Sequence, residues 1–178
     1  MQPVQPTPDA VIGIDPGTHR CGYGIVVRRG NRFVHIAHGV ARARTNDPLP
    51  QRLATIADEL ERAIGTYTPV SMGIEQAFFH RDAQAALQIG HARGVAMLLA
   101  ARRGISVGEY APASVKRAVV GNGKADKEQV SRMIQAILGL TEAPPLDASD
   151  ALAIAICHAS AHALASRVAV STRGAVRR

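Results

Sequence analysis

Apolar residues fall into five short runs and five longer stretches of helical spacing, and these ten segments account for most of the chain. Residues 11–15, Cys21–Arg29 and Arg32–Ala43, rich in Val, Ile and Tyr or Phe, read as three strands. Their links, Pro16-Gly17-Thr18 and Gly30-Asn31, are short and contain Gly, which predicts antiparallel hairpins. Leu53, Ile56, Ala57, Leu60, Ala63 and Ile64 then recur at helical spacing across 49–66. Pro48 and Pro50 mark the start of that helix, and Thr68-Pro69 lies beyond its end. Val70–Gln76 reads as a fourth strand, Ala83–Arg103 as a long helix with a smooth Ala- and Gly-rich surface, and Ile105–Tyr110 as a fifth strand. Helices at 113–120, Lys127–Leu138 and Leu146–Arg167 complete the pattern. The order predicts one α/β domain over 10–167 with a five-stranded mixed sheet flanked by helices. Residues 1–9 are expected to form a loose tail and 168–178 a basic one.

Composition narrows the class. At 178 residues with 47% hydrophobic positions, the chain suits one well-buried core. No run approaches the ~18–20 apolar residues of a membrane span, and the Gln/Pro-rich N-terminus lacks a secretory pattern. Cys21 and Cys157 are too few for a disulfide framework, so a cytoplasmic protein with reduced thiols is expected. A formal charge of +7 and a pI near 10.2 favour a polyanionic partner, and nucleic acid suits better than a membrane surface. The positive charge is nearly all Arg, yet Lys116, Lys124 and Lys127 fall within one short segment. An ammonium there suits phosphate contact or chemistry.

The candidate chemistry lies in four acids. Asp15 ends the first strand at a Pro-Gly turn, a place that also suits a turn-forming Asp. Glu75 follows Met72-Gly73-Ile74 as Asp15 follows Ile12-Gly13-Ile14, which puts both at the C-terminal ends of expected parallel neighbours. That edge of an α/β sheet is where ligands bind. Asp147 and Asp150, spaced i, i+3, share a face at the start of the last helix, where Asp147 would also serve as an N-cap. Four converging carboxylates repel one another unless hard cations sit between them. Two Mg²⁺ or Mn²⁺ ions in such a pocket can activate water and stabilise a leaving oxygen on a phosphodiester.

With these residues in place, the chain resembles the RuvC family of Holliday-junction endonucleases over roughly 10–165. The matching blocks are Ile-Asp-Pro-Gly-Thr-His-Arg-Cys-Gly-Tyr-Gly at 14–24, Ile-Glu-Gln-Ala-Phe at 74–78 and Ala-Leu-Gln-Ile-Gly-His-Ala-Arg-Gly-Val-Ala at 86–96. Val-Lys-Arg-Ala-Val-Val-Gly at 115–121 and Asp-Ala-Ser-Asp-Ala-Leu-Ala-Ile-Ala at 147–155 complete them. The resemblance implies an RNase H-like fold, a homodimer and a metal-dependent site with Asp15, Glu75, Asp147 and Asp150 on its acidic positions. It further implies nicking of two like-polarity strands of a four-way junction, leaving 5′-phosphate and 3′-hydroxyl ends, with a branch-migration complex such as RuvAB as a partner. Phe78 would stack on an unpaired base. Lys116 and Lys127 fall on basic positions near the DNA backbone, with a weaker match at Lys124.

Other residues keep two readings. Arg93 either contacts DNA or anchors its helix, and Arg81-Asp82 departs from the basic-Asn pair expected after Phe78. His158 and His162 have zinc-compatible i, i+4 spacing but no third ligand, which favours a structural or surface role. A competing function is an ATP-binding module, since Asp15-Pro16-Gly17-Thr18 with Gly22 and Gly24 also resembles the phosphate loop of actin-like and sugar-kinase ATPases. Those enzymes need a second lobe that one small domain does not supply.

Overall fold

A computed structural model describes the backbone of residues 9–76 and 83–175, with side chains up to residue 161. Its element order is β1 (Ala10–Asp15), β2 (Arg20–Arg29), β3 (Arg32–Arg42), α1 (Leu49–Tyr67), β4 (Ser71–Glu75), α2 (Ala83–Arg102), β5 (Ser106–Tyr110), α3 (Pro112–Val120), α4 (Lys127–Leu138) and α5 (Leu146–Ala175). The strands form a single five-stranded sheet in the order β3-β2-β1-β4-β5. The pairs β1–β2 and β2–β3 are antiparallel, whereas β1–β4 and β4–β5 are parallel. The expected hairpins and mixed sheet are thus both present. The main difference in extent is at the C-terminus: the helix expected to end at Arg167 continues to Ala175. No Pro or Gly interrupts Val168–Arg173, so nothing local stops it.

Alternation along the central strand sorts the core into two layers. Ala10, Ile12 and Ile14 pack with Ile56, Leu60 and Ile64 of α1 and with Ala96, Leu99 and Ala100 of α2. Val11 and Val26 face the opposite layer, with Val115 and Val119 of α3, Val130 and Ile134 of α4, and Leu152–Ala159 of α5. Gly13 and Asp15 share the face of Val11.

A row of glycines lets α5 lie directly on that face. Gly24, Gly13, Gly73 and Gly108 are register partners across β2, β1, β4 and β5. A Cβ on Gly13 would sit 2.1 Å from the Ala151 carbonyl oxygen, and one on Gly24 would sit 2.7 Å from the Leu152 side chain. On Gly73 it would meet the His158 Cβ at 2.7 Å. Glycine inside a strand loses packing surface, and close approach of another backbone is a recurring reason to find it there. Among the described residues, no helix is long and apolar enough to cross a membrane.

Candidate active site

The glycine row decides where the helix-borne acids arrive. Gly22, the register partner of Asp15, would carry a Cβ only 2.0 Å from the Asp147 carbonyl oxygen. The first turn of α5 therefore rests on β2 beside the end of β1. Asp147 is the second residue of α5 rather than its cap, and its helix-start position suits the dipole. Glu75 ends β4 just beyond the register pair Ile14↔Ile74, as Asp15 ends β1. The end-of-strand placement expected from the sequence is met, and both acids share the face of α5.

Asp15, Glu75 and Asp150 line one cleft of about 280 Å³ with Lys116, Lys127, Pro112, Val115, Val130, Ala153 and Ile154. Asp147 flanks that cleft: Arg20 Nε lies 2.7 Å from its Oδ2, a close ionic contact off the hydrogen-bonding direction. Burial, followed by the charges of Asp150, Glu75 and Asp147, pushes the Asp15 carboxyl up from 3.8 to about 7, while Lys127 opposes the shift.

The lysines reach the cleft from the other side. Asp126 caps α4: its side chain accepts from Gln129 N at 2.8 Å, and Gln129 Oε1 accepts from Asp126 N at 3.2 Å. That capping box sets the first helical residue, Lys127, whose Nζ donates to Asp150 Oδ2 at 3.0 Å. This bond holds the Lys127 ammonium above its usual range. Lys116, half-buried on α3, also lines the cleft. Lys124 is exposed in the loop before α4 and is not part of the lining. Phe78, Phe79, Arg81 and Asp82 lie outside the described residues.

Arg93 requires a correction as a candidate DNA contact. Only 8% exposed, it donates from Nη1 to the Glu75 backbone carbonyl and from Nη2 to Glu109 Oε2 at 2.9 Å. The helix-anchoring alternative is the one the structure supports. Arg93 shares the buried stripe of Ala92, Ala96, Leu99 and Ala100, on a helix whose Ala- and Gly-rich surface gives little apolar contrast to mark it. Arg52 was missed altogether. It lies on α1's buried stripe with Ile56 and Leu60, donates to Thr18 Oγ1 at 3.3 Å and contacts His19, holding the turn that follows Asp15. His158 is buried and its Nδ1 lies 2.8 Å from the Tyr110 hydroxyl, consistent with a structural part.

The donor set is one of hard oxygens, and Asp15 carries an excess of like charge that a cation would relieve. Among the described residues, no three carboxylate, imidazole or thiol groups form a ready-made ligand cage. Mg²⁺-type sites seldom have one, because they use a few carboxylates with waters and substrate phosphates. The residues therefore fit a divalent cation in charge and donor type.

Comparison with known proteins identifies the family. Residues 11–158 match the family model described as crossover junction endodeoxyribonuclease RuvC. The protein of that name from Sorangium cellulosum is 47% identical over 161 residues, 90% of this chain and 90% of the relative. The one from Syntrophotalea carbinolica is 48% identical, covering 84% and 92%. Among solved structures, Thermus thermophilus RuvC in complex with a Holliday junction substrate superposes with a TM-score of 0.80 at 36% identity, covering 84% of this chain and 92% of that one. The yeast mitochondrial Holliday junction resolvase Ydc2, 17% identical with a TM-score of 0.58, shares the fold. A nuclease match over most of the chain decides against the ATP-binding alternative.

Proposed function

The chain belongs to the RuvC family of crossover junction endodeoxyribonucleases, and from that premise we propose that it resolves four-way DNA junctions by nicking two strands of like polarity. The observation that carries this reading is the cleft itself. Three carboxylates and two lysines converge on about 280 Å³, with a half-buried Asp15 whose carboxyl is pushed to about 7. Such a mixture suits cutting a polyanion: the acids serve the reacting phosphate through cations, and the lysines hold its neighbours.

In this mechanism Asp15, Glu75, Asp147 and Asp150 would hold Mg²⁺ or Mn²⁺, two ions per site. Such ions would supply Lewis-acid activation of water and charge stabilisation at the phosphate, the chemistry that would leave 5′-phosphate and 3′-hydroxyl ends. Lys127 keeps Asp150 paired before substrate arrives and, with Lys116, contacts the DNA backbone. Arg20 does for Asp147 what Lys127 does for Asp150. Lys124 extends the basic track outside the cleft, and Phe78 stacks on a base at the opened junction.

A two-fold substrate suits two copies of the site, so the working form is a homodimer. Leu87, Met97 and Leu98 of α2 are exposed apolar side chains and support this helix as the dimer contact. The setting is the cytoplasm, with a RuvAB-type branch-migration complex as partner. The test is incubation of the protein with a synthetic four-way junction and a matched linear duplex, with and without Mg²⁺, followed by end-mapping. Paired, symmetric, Mg²⁺-dependent nicks in the junction support the reading. Cutting that ignores the junction, or proceeds in chelator, refutes it.

A further inference from the structure

The C-terminal end of β4 must hold Glu75 on the face that α5 covers. β5 supplies one tie there, Gln76 N donating to the Tyr110 carbonyl at 2.8 Å. The Glu75 carbonyl, one residue earlier, accepts from the Arg93 guanidinium of α2, on the opposite face of the sheet from α5. The same guanidinium donates to Glu109 Oε2 on β5 at 2.9 Å, with the Arg93 side chain only 10% exposed. One planar, always charged group thus joins three elements, α2, β4 and β5, at the residue that carries an active-site acid. A compact ammonium cannot make both contacts in that fork geometry.

We propose that Arg93 is a positioning residue for Glu75, fixing the backbone from which that carboxylate enters the cleft. It touches neither DNA nor a reacting atom, and its effect passes through the Glu75 carbonyl. The proposal rests on the nuclease reading above, since Glu75 needs exact placement only if it serves the reaction. Small misplacement of a catalytic group costs up to about 100-fold in rate.

The test compares Arg93→Gln, Arg93→Lys and Glu109→Gln with wild type, taking Arg103→Ala as a control from an exposed ion pair with Glu61 beyond the end of α2. Single-turnover junction cleavage, junction affinity and its salt dependence in chelator, Mn²⁺ binding by electron paramagnetic resonance, and thermal melting are measured on each. Arg93→Gln is expected to slow cleavage by about 100-fold and weaken Mn²⁺ binding several-fold, with junction affinity and salt slope unchanged. Arg93→Lys should fall between, and Arg103→Ala should match wild type. Should Arg93→Gln melt below the assay temperature, Glu109→Gln reads the same clamp, and a several-fold slower rate at unchanged junction affinity is expected. Wild-type rates in the folded Arg93 and Glu109 variants would overturn the proposal. So would a weaker junction affinity with a flatter salt slope at an unchanged rate, which would mark Arg93 as a DNA contact. An inactive wild-type protein would refute the nuclease reading instead, and the Mn²⁺ titration would then decide the role of Arg93.

Discussion

Lys127 donates from Nζ to Oδ2 of Asp150 at 3.0 Å, so the acid that α5 brings into the cleft already faces a cation supplied by α4. The pair is part-exposed, and its value lies in the charge it places beside Asp15 rather than in stability.

Removing that charge should change the titration of Asp15 in the metal-free protein. Lys127 pulls the Asp15 carboxyl down against burial and three neighbouring acids. Without it, Asp15 holds its proton to higher pH, and the fraction ionised at neutrality falls. Lys127→Gln is expected to move the Asp15 titration in chelator, followed by carboxyl NMR, to higher pH. An unmoved titration with weaker junction binding would assign Lys127 to DNA contact alone.

Asp15 should be a burden on the metal-free protein. Its carboxyl is raised from 3.8 to about 7 in the folded state, so between those values the native state binds more proton than the unfolded one. Stability contributed by the protonated form is present at low pH and is lost as pH rises through about 7. Asp15→Asn, which does not ionise, should melt higher than wild type in chelator, with a gain that grows across this window and then levels. A gain independent of pH would contradict the electrostatic cause.

The glycine row should tolerate no side chain. Gly13→Ala places a methyl 2.1 Å from the Ala151 carbonyl oxygen and must lift α5, at a cost of about 3 kcal/mol or more. Gly65→Ala, on the exposed side of α1 with nothing nearer than Arg103 at 3.9 Å, should stabilise by about 0.5–1 kcal/mol. Denaturant unfolding of the two variants measures the contrast, and equal effects would count against direct helix-on-backbone packing.

Lys116 lines the cleft and forms no ion pair among the described residues. Lys116→Ala is expected to weaken junction binding and to reduce the slope of log affinity against log salt by about one. An unchanged slope would remove it from the phosphate contacts.

Much of the fold was legible because the chain's periodicities are clean. The strand ending at Asp15 and the helix at Lys127–Leu138 lie where the pattern puts them, and the strand expected at Val70–Gln76 is Ser71–Glu75. The two strand-end acids were readable from the parallel phrasing of Ile-Gly-Ile-Asp and Met-Gly-Ile-Glu. What brings Asp147 and Asp150 to them was not, since the row of Gly24, Gly13, Gly73 and Gly108 exists only once strand order and register are known. Arg93 was ambiguous for a related reason. On a helix made smooth by Ala and Gly on every side, apolar contrast hardly separates the inner face from the outer, and a lone Arg reads as either.

Asp15 remains the centre of the account, and its carboxylate tests it most directly. Asp15→Asn should bind a synthetic four-way junction with wild-type affinity in chelator and fail to cleave it when Mg²⁺ is added, while wild type makes paired nicks. Cleavage by Asp15→Asn at the wild-type rate, or loss of junction binding together with cleavage, would contradict it.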